Sequence, residues 1–376
     1  MTVVNQDSES SQDLTVTRDE VQAVRPSARP DVPRALGTRS FDDRASWMAA
    51  MAGALGIVWV LFQLSGWSGK LGFTVLWFAL YLALYAGITR SGNPWPVVVD
   101  RLAAATVAGG AAVVGLALLS TITYTVHKGW PAFSHWGNFY TETAAGVRPT
   151  APLDQGGILH AIAGSAIEVG IALVISLPLG LGTAVYMTEV GGRAAKTVRT
   201  VVEAMTALPD VLAGLFTYAT LILVVHMDRT GFVAAVALAV TMTPIVARSA
   251  EVALRVVPGG LREASLALGS SQAATVWRVV LPTARAGLAT SLILGIARIS
   301  GETAPLLIVS GASTYQNLDP FSEPMNSLPL YIFSAVRSGQ PNFIARGFGA
   351  ATVLLALVTA LFALARYLAR PKKGIR

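Results

Sequence analysis

Residues 261–282 read LREASLALGSSQAATVWRVVLP, a polar and amphipathic insert between two apolar runs. The frame is Glu263-Ala264-Ser265, three residues, Gly269, nine residues, Val279, one residue, then Leu281-Pro282. Leu261, Ala264, Ala267 and Leu268 recur near helical spacing, with Arg262 and Glu263 beside them. The pattern predicts a short helix, a turn that glycine permits, a second short helix, and a proline that ends it before the next apolar run. An amphipathic helix pair set between membrane spans either lies on the lipid surface or docks into a groove on a partner.

Outward from this insert the chain is apolar. A bilayer crossing needs about 20 apolar residues. Runs of that kind stand at Trp47–Gly66, Leu71–Ile88, Leu102–Val126, Ile158–Met187, Val201–Val225, Phe232–Ala247, Leu288–Val309 and Phe348–Leu368. The fold class expected is an all-α polytopic membrane protein with about eight transmembrane helices. The sixth run is short and holds Pro244, which makes it the weakest candidate. Residues 1–45 read as a disordered cytoplasmic tail, because they are polar and poor in aromatics. They do not read as a signal peptide, since the first apolar run starts late and lacks a small-residue cleavage site.

The composition agrees with this class. Of 376 residues, 53% are hydrophobic and 13% charged, where a soluble domain averages about 25% charged. With no cysteine, disulfides and thiolate metal sites are excluded. The net charge of +7 invites a nucleic-acid reading, but the basic residues sit in short loops between apolar runs. With the N-terminus inside, the outer segments hold only Lys70, Lys128, Arg148, Arg229, Arg337 and Arg346, and Arg298 falls within a run. The rest of the 28 basic residues lie in the tail, the inner loops and the basic cytoplasmic end, 371–376. Both termini are therefore expected in the cytoplasm. Aromatics in the outer segments, such as Trp130, Trp136, Tyr315 and Phe321, read first as interfacial anchors. The four histidines lack helical ligand spacing, so no metal site is expected.

The insert resembles the EAA loop of ABC importer permeases: EAA, three residues, Gly, nine residues, Ile, one residue, Leu-Pro. Every anchor matches in spacing, with Ser265 for the second Ala and Val279 for Ile. The resemblance implies the type I importer (MetI-like) fold and a coupling role for segment 255–282. Glu263, Ala264, Gly269, Leu281 and Pro282 would then form the surface that meets the ATPase. The one Gly-Lys pair, Gly69-Lys70, is followed by Leu71 and fails the phosphate-loop pattern. No cofactor is thus expected on this chain, and ATP and Mg would be on a partner ATPase.

A second resemblance narrows the class. Ala297-Arg298-Ile299-Ser300-Gly301-Glu302-Thr303-Ala304-Pro305-Leu306 is similar to the segment ARxxGETAPL of A-type phosphate permeases, and Ala304-Pro305 separates it from the C-type sister. Further agreement lies at Gly129–Phe133, Leu177–Gly180, Gly214–Phe216 and Met325–Leu330. The likeness covers about 100–370, the expected permease domain, and leaves 46–90 as an extra transmembrane hairpin without an assigned role. It implies a sister permease, an ATPase dimer, an extracytoplasmic phosphate-binding protein and a plasma-membrane location, with lipid around the bundle and no nucleic acid.

Charges at membrane depth supply the pathway candidates. Counting from its run's start places Arg298 near mid-bilayer, where an arginine costs about 2.5–3.5 kcal/mol. Glu302 follows at i+4, so the expectation is an Arg298–Glu302 pair on one helix face. Ser300 and Thr303 lie between and beside them. Glu168 and Asp210 also count to mid-depth. Three carboxylates and one arginine suit an anion poorly, so either a carboxyl is protonated or some of these groups face protein interior instead of the path. The pair itself reads either as a phosphate contact or as a structural ion pair. Rival functions are a permease for another oxyanion such as sulfate or molybdate, and an ATP-independent transporter or channel. A membrane-embedded enzyme lacks a nucleophile–base pair in the sequence.

Overall fold

The computed structural model describes residues 41–368, with side chains from residue 45 onward. Most of the expected tail, up to residue 40, and the basic end 371–376 lie outside the described residues. The regular elements are helices: α1 Phe41–Ser65, α2 Lys70–Arg90, α3 Trp95–Phe133, α4 Leu159–Val185, α5 Gly192–Ala207, α6 Asp210–Thr217 and α7 Gly231–Arg255. There follow α8 Gly259–Ala267, α9 Leu281–Ile299, α10 Leu306–Val309, α11 Leu328–Arg337 and α12 Pro341–Leu368. Among the described residues, seven helices are long and apolar enough to cross a membrane, and a bent pair brings the number to eight when it is counted as one broken span.

The chain forms two compact units divided between Gly115 and Leu116, within α3. In the first, α1 and α2 make a hairpin whose link carries Gly66 at φ +65° and Gly69 at φ +138°. Ala50 and Ala54 on α1 meet Tyr81 and Tyr85 on α2, small against large, and the two tyrosine rings stack at 5.9 Å. Away from this seam the side chains stay uncovered, Leu64 and Leu71 by more than four-fifths. Surface of that kind is stable only in lipid.

The second unit is built around α7, whose core face runs Ala234, Ala237, Leu238, Met242 and Val246. Of its apolar window 61% is buried, against 28% or less for every other span. The span expected to be weakest is thus the central one. Pro244 is buried within it and does not end it. Helix–helix association in lipid runs on close packing of small residues. A Cβ at Gly180 of α4 would come 2.8 Å from Val246, so α4 lies directly on α7.

The fifth crossing departs from the straight span expected over Val201–Val225. It is a pair, α5 and α6, bent by 101°. Leu208 stands before Pro209 with ψ 137°, the extended conformation that the proline ring imposes on its predecessor. The seventh crossing differs at both ends. Pro282 does not end a helix: Gln272–Thr275, a π-helical stretch Val276–Val280 and α9 run on without a break. The widened π turn accommodates the proline ring that a tight α turn would reject. At the other end α9 stops at Ile299, short of the Val309 expected, and the chain turns into α10.

Between α10 and α11 the segment 311–327 folds back over the end of α7. Phe232 N donates to Pro320 O at 2.7 Å, and Met325 N donates to Ser310 O at 3.3 Å. The Cβ of any larger residue at Gly231 would meet Met325 Sδ at 2.7 Å.

Candidate functional site

Two sites stand at different heights along α7. The first lies beside its middle. Val240, Thr241, Pro244 and Ile245 form one wall of a 590 Å³ cavity, and the elbow Leu208-Pro209-Asp210 forms another. Arg298, in the last turn of α9, closes it with Nη2 3.2 Å from Asp210 Oδ2. Gly214 brings the two together. Its missing side chain lets α6 rest on Pro305, whose Cα would lie 2.7 Å from a Cβ there, and Asp210 is one turn back on the same helix.

This corrects the expected pairing. Arg298 pairs with Asp210, not with Glu302. An i, i+4 pair needs the helix to continue, but Ser300 Oγ caps Ile296 O at 2.7 Å and the chain turns at Gly301 and Glu302. Asp210 opens α6 instead of standing inside a straight span. Arg298 is at a helix end, yet it does stand beside the middle of α7. The side chains of Arg298 and Asp210 are 54% and 32% exposed, so the pair faces an open cavity. Glu302 and Thr303 are half-buried on the turn that follows. Ser300 is buried, with its hydroxyl committed to the helix.

Glu168 lies elsewhere. It is fully buried on α4, where Ser310 Oγ sits 3.0 Å from its Oε1, and it does not line the Arg298 cavity. Of the proposed pathway residues, the structure brings Arg298 and Asp210 together and leaves Glu168 apart.

The second site is the insert at the Arg255 end of α7. α8 ends in a turn at Gly269, φ +84°, the left-handed conformation expected of a glycine. Arg262 anchors it through a two-pronged contact to Glu189, Nε–Oε2 3.1 Å and Nη2–Oε1 2.9 Å. The same guanidinium donates to Val257 O at 2.6 Å and Leu254 O at 3.0 Å. Ser265 and Thr275 hydroxyls join the two short helices at 2.9 Å, and Gln272 bonds the carbonyl of Glu189. The outward face is apolar and uncovered: Leu266 is 49%, Leu268 88% and Trp277 72% exposed. Glu263 and Ala264 are exposed on the same helix, as is Pro282, while Leu281 is half-buried.

Behind it lies a cluster that sequence reasoning missed. Buried Glu251 accepts from Arg199 Nε at 2.9 Å, Arg248 Nη1 at 2.9 Å and Arg255 Nη2 at 2.7 Å. The spacing Arg248-x-x-Glu251-x-x-x-Arg255 carried two of these pairs; Arg199, from α5, left no local signal. Among the described residues no three His, Cys, Asp or Glu side chains converge as a metal site would require.

A polytopic bundle with an arginine-lined cavity at mid-height and an uncovered apolar helix pair at one end has the build of a transport subunit that answers to another protein. Residues 176–373 match the family described as "Binding-protein-dependent transport system inner membrane component", and the chain belongs to that family. The curated relatives it resembles are phosphate transport system permease proteins. PstA 1 of Mycobacterium tuberculosis strain H37Rv is 38% identical over 237 residues, 63% of this chain and 76% of the relative. PstA of Mycobacterium leprae is 36% identical over 245 residues, 65% and 80% of the two chains. PstA of Pasteurella multocida is 32% identical over 255 residues, 67% and 88%. Among solved structures, an inward-facing form of the MetNI methionine ABC transporter aligns with TM-score 0.43 and 23% identity, over 57% of this chain and 95% of that one.

Proposed function

We propose that the chain is one of two permease subunits of an ATP-driven importer that moves inorganic phosphate into the cell. The observation that carries the reading is the ETAP turn, 302–305, set beside the Arg298–Asp210 cavity midway along α7. The names of the three curated relatives given above, each a phosphate transport permease, support the substrate. Arg298 would contact phosphate in transit through its planar fork, and Asp210 would keep the guanidinium from holding the anion too tightly. Both termini and α8 are assigned to the cytoplasm, on the bias of basic residues.

In this reading an extracytoplasmic binding protein delivers phosphate at the Gly231 end of α7. A C-type sister permease covers the open side of the cavity. An ATPase dimer, carrying ATP and Mg, docks on Leu266, Leu268 and Trp277, and its closure drives the exchange of access. The domain plan follows: a cytoplasmic tail, an added hairpin at 46–90, and a permease body over 100–370 with its coupling segment at 255–282.

Uptake of radiolabelled phosphate by proteoliposomes holding the four-subunit complex, with binding protein outside and ATP inside, tests the proposal. Uptake that depends on both, and that excess sulfate or molybdate leaves intact, is expected. Transport of either of those anions in place of phosphate, or uptake without ATP, would overturn it.

A further inference from the structure

At the end of α7 away from α8, a third feature of the fold carries charge without a partner. Arg229, just before α7, and Arg337, in the last turn of α11, line one cavity of 370 Å³ with Leu307, Gly311, Ala312 and Ser334. Neither guanidinium makes an ion pair among the described residues. Asp228, next to Arg229 in sequence, is not part of the lining. Each guanidinium is instead propped on an aromatic ring. Arg229 stands 6.0 Å from the Tyr218 centroid, and Arg337 4.9 Å from that of Phe333. A ring face attracts a cation without using its N–H donors, so the forks stay free to bind oxygen.

The backbone opens the space between them. Gly311 has φ +87°, and a Cβ there would crowd Pro324 Cβ at 2.9 Å and touch that of Arg229 at 3.5 Å. Ala312 takes φ 52°, strained for a residue with a side chain, on the cavity wall. Strain of this kind persists where surroundings enforce it, and it marks ligand sites more often than bare scaffold.

The contrast with the Arg298 cavity defines a role. There one guanidinium is balanced by Asp210; here two like charges share a wall with no carboxylate on it. Like charges in one cavity repel, and an oxyanion between them removes that repulsion while accepting paired N–H bonds. We propose that Arg229 and Arg337 form a second oxyanion site at the mouth of the path, which takes inorganic phosphate before it reaches Arg298. The inference rests on the phosphate-importer reading. The same phosphoryl chemistry belongs to a phospholipid headgroup, so the test has to separate the two sources.

The complete importer, in nanodiscs and without binding protein, is titrated with radiolabelled inorganic phosphate by equilibrium dialysis. All variants carry Arg298→Gln, which silences the inner site. Phosphate binding is expected to survive that change, to weaken about tenfold or more with Arg229→Gln or Arg337→Gln, and to vanish with both. Phospholipid retained after detergent washing is counted on the same samples and is expected to stay constant. Loss of a retained phospholipid with phosphate binding unchanged would assign the cavity to a headgroup and overturn the phosphate assignment. No binding in the Arg298→Gln parent, or binding indifferent to both arginines, would also overturn it. Uptake by the wild-type complex is scored separately. Failure there sinks the importer reading, whereas failure of the dialysis with uptake intact sinks only the outer site.

Discussion

Arg262 on α8 and Glu189 at the end of the α4 crossing hold each other by two parallel N–H···O bonds across 73 residues of sequence. The side chains are 24% and 7% exposed, so the pair is largely removed from water. Removing one partner of such a pair leaves an uncompensated buried charge, at a cost of about 3–5 kcal/mol. Arg262→Leu is therefore expected to lower the protein's melting temperature and its ability to stimulate ATP hydrolysis. The double change Arg262→Leu with Glu189→Leu should regain most of the melting temperature and little of the stimulation. A double variant with full stimulation would show that the tether does not serve α8.

The Arg298–Asp210 pair behaves in the opposite way. It faces an open cavity and contributes about 0–1 kcal/mol, so Arg298→Gln and Asp210→Asn should each reach the membrane at normal levels. Phosphate uptake should be lost with Arg298→Gln and partly kept with Arg298→Lys, which retains charge without the fork. Combining Arg298→Gln with Asp210→Asn distinguishes a pathway from a strut. If that combination transports phosphate normally, the pair is only structural.

At Gly269 the difficulty is conformational, because nothing lies within 4 Å of where a Cβ would stand. A left-handed residue costs about 1–2 kcal/mol when it bears a side chain, least for asparagine and most for a β-branched one. Gly269→Asn should stimulate the ATPase close to normally, and Gly269→Val should assemble poorly with it. Equal behaviour of the two substitutions would refute the turn's role.

Orientation can be read directly, since the chain has no cysteine of its own. Single cysteines at Ser134 and Ser322 should react with an impermeant thiol reagent applied to intact cells, and one at Ser271 only after lysis. Labelling of the Ser271 site from outside would reverse the topology and remove the coupling assignment with it.

What could be read in advance follows the range of the forces involved. Long apolar runs and the frame from Glu263 to Pro282 are local, and the Gly269 turn and most spans appear near where the sequence puts them, the fifth and seventh crossings excepted. Pro244 and Pro209 look alike in sequence but act differently. Pro244 is buried inside the most covered helix of the bundle, whereas Pro209 is exposed and breaks its crossing. The Arg298–Glu302 expectation failed because spacing arguments hold only while a helix lasts, and α9 ends between the two. Asp210 lies 88 residues from Arg298, and they meet because α6 and α9 both pack on α7 and Gly214 lets α6 rest on Pro305.

The elbow at Leu208-Pro209 has a mechanical side. With its arms near a right angle, a thrust delivered along α5 reaches α6 almost wholly as sideways travel. α5 is tied through Arg199 to Glu251, near the end of α7 that leads into α8, and α6 carries Asp210 into the cavity wall. The linkage is thus a bell crank. A thrust arriving from the α8 end would then move one wall of the cavity across its width and change the gap in front of Arg298.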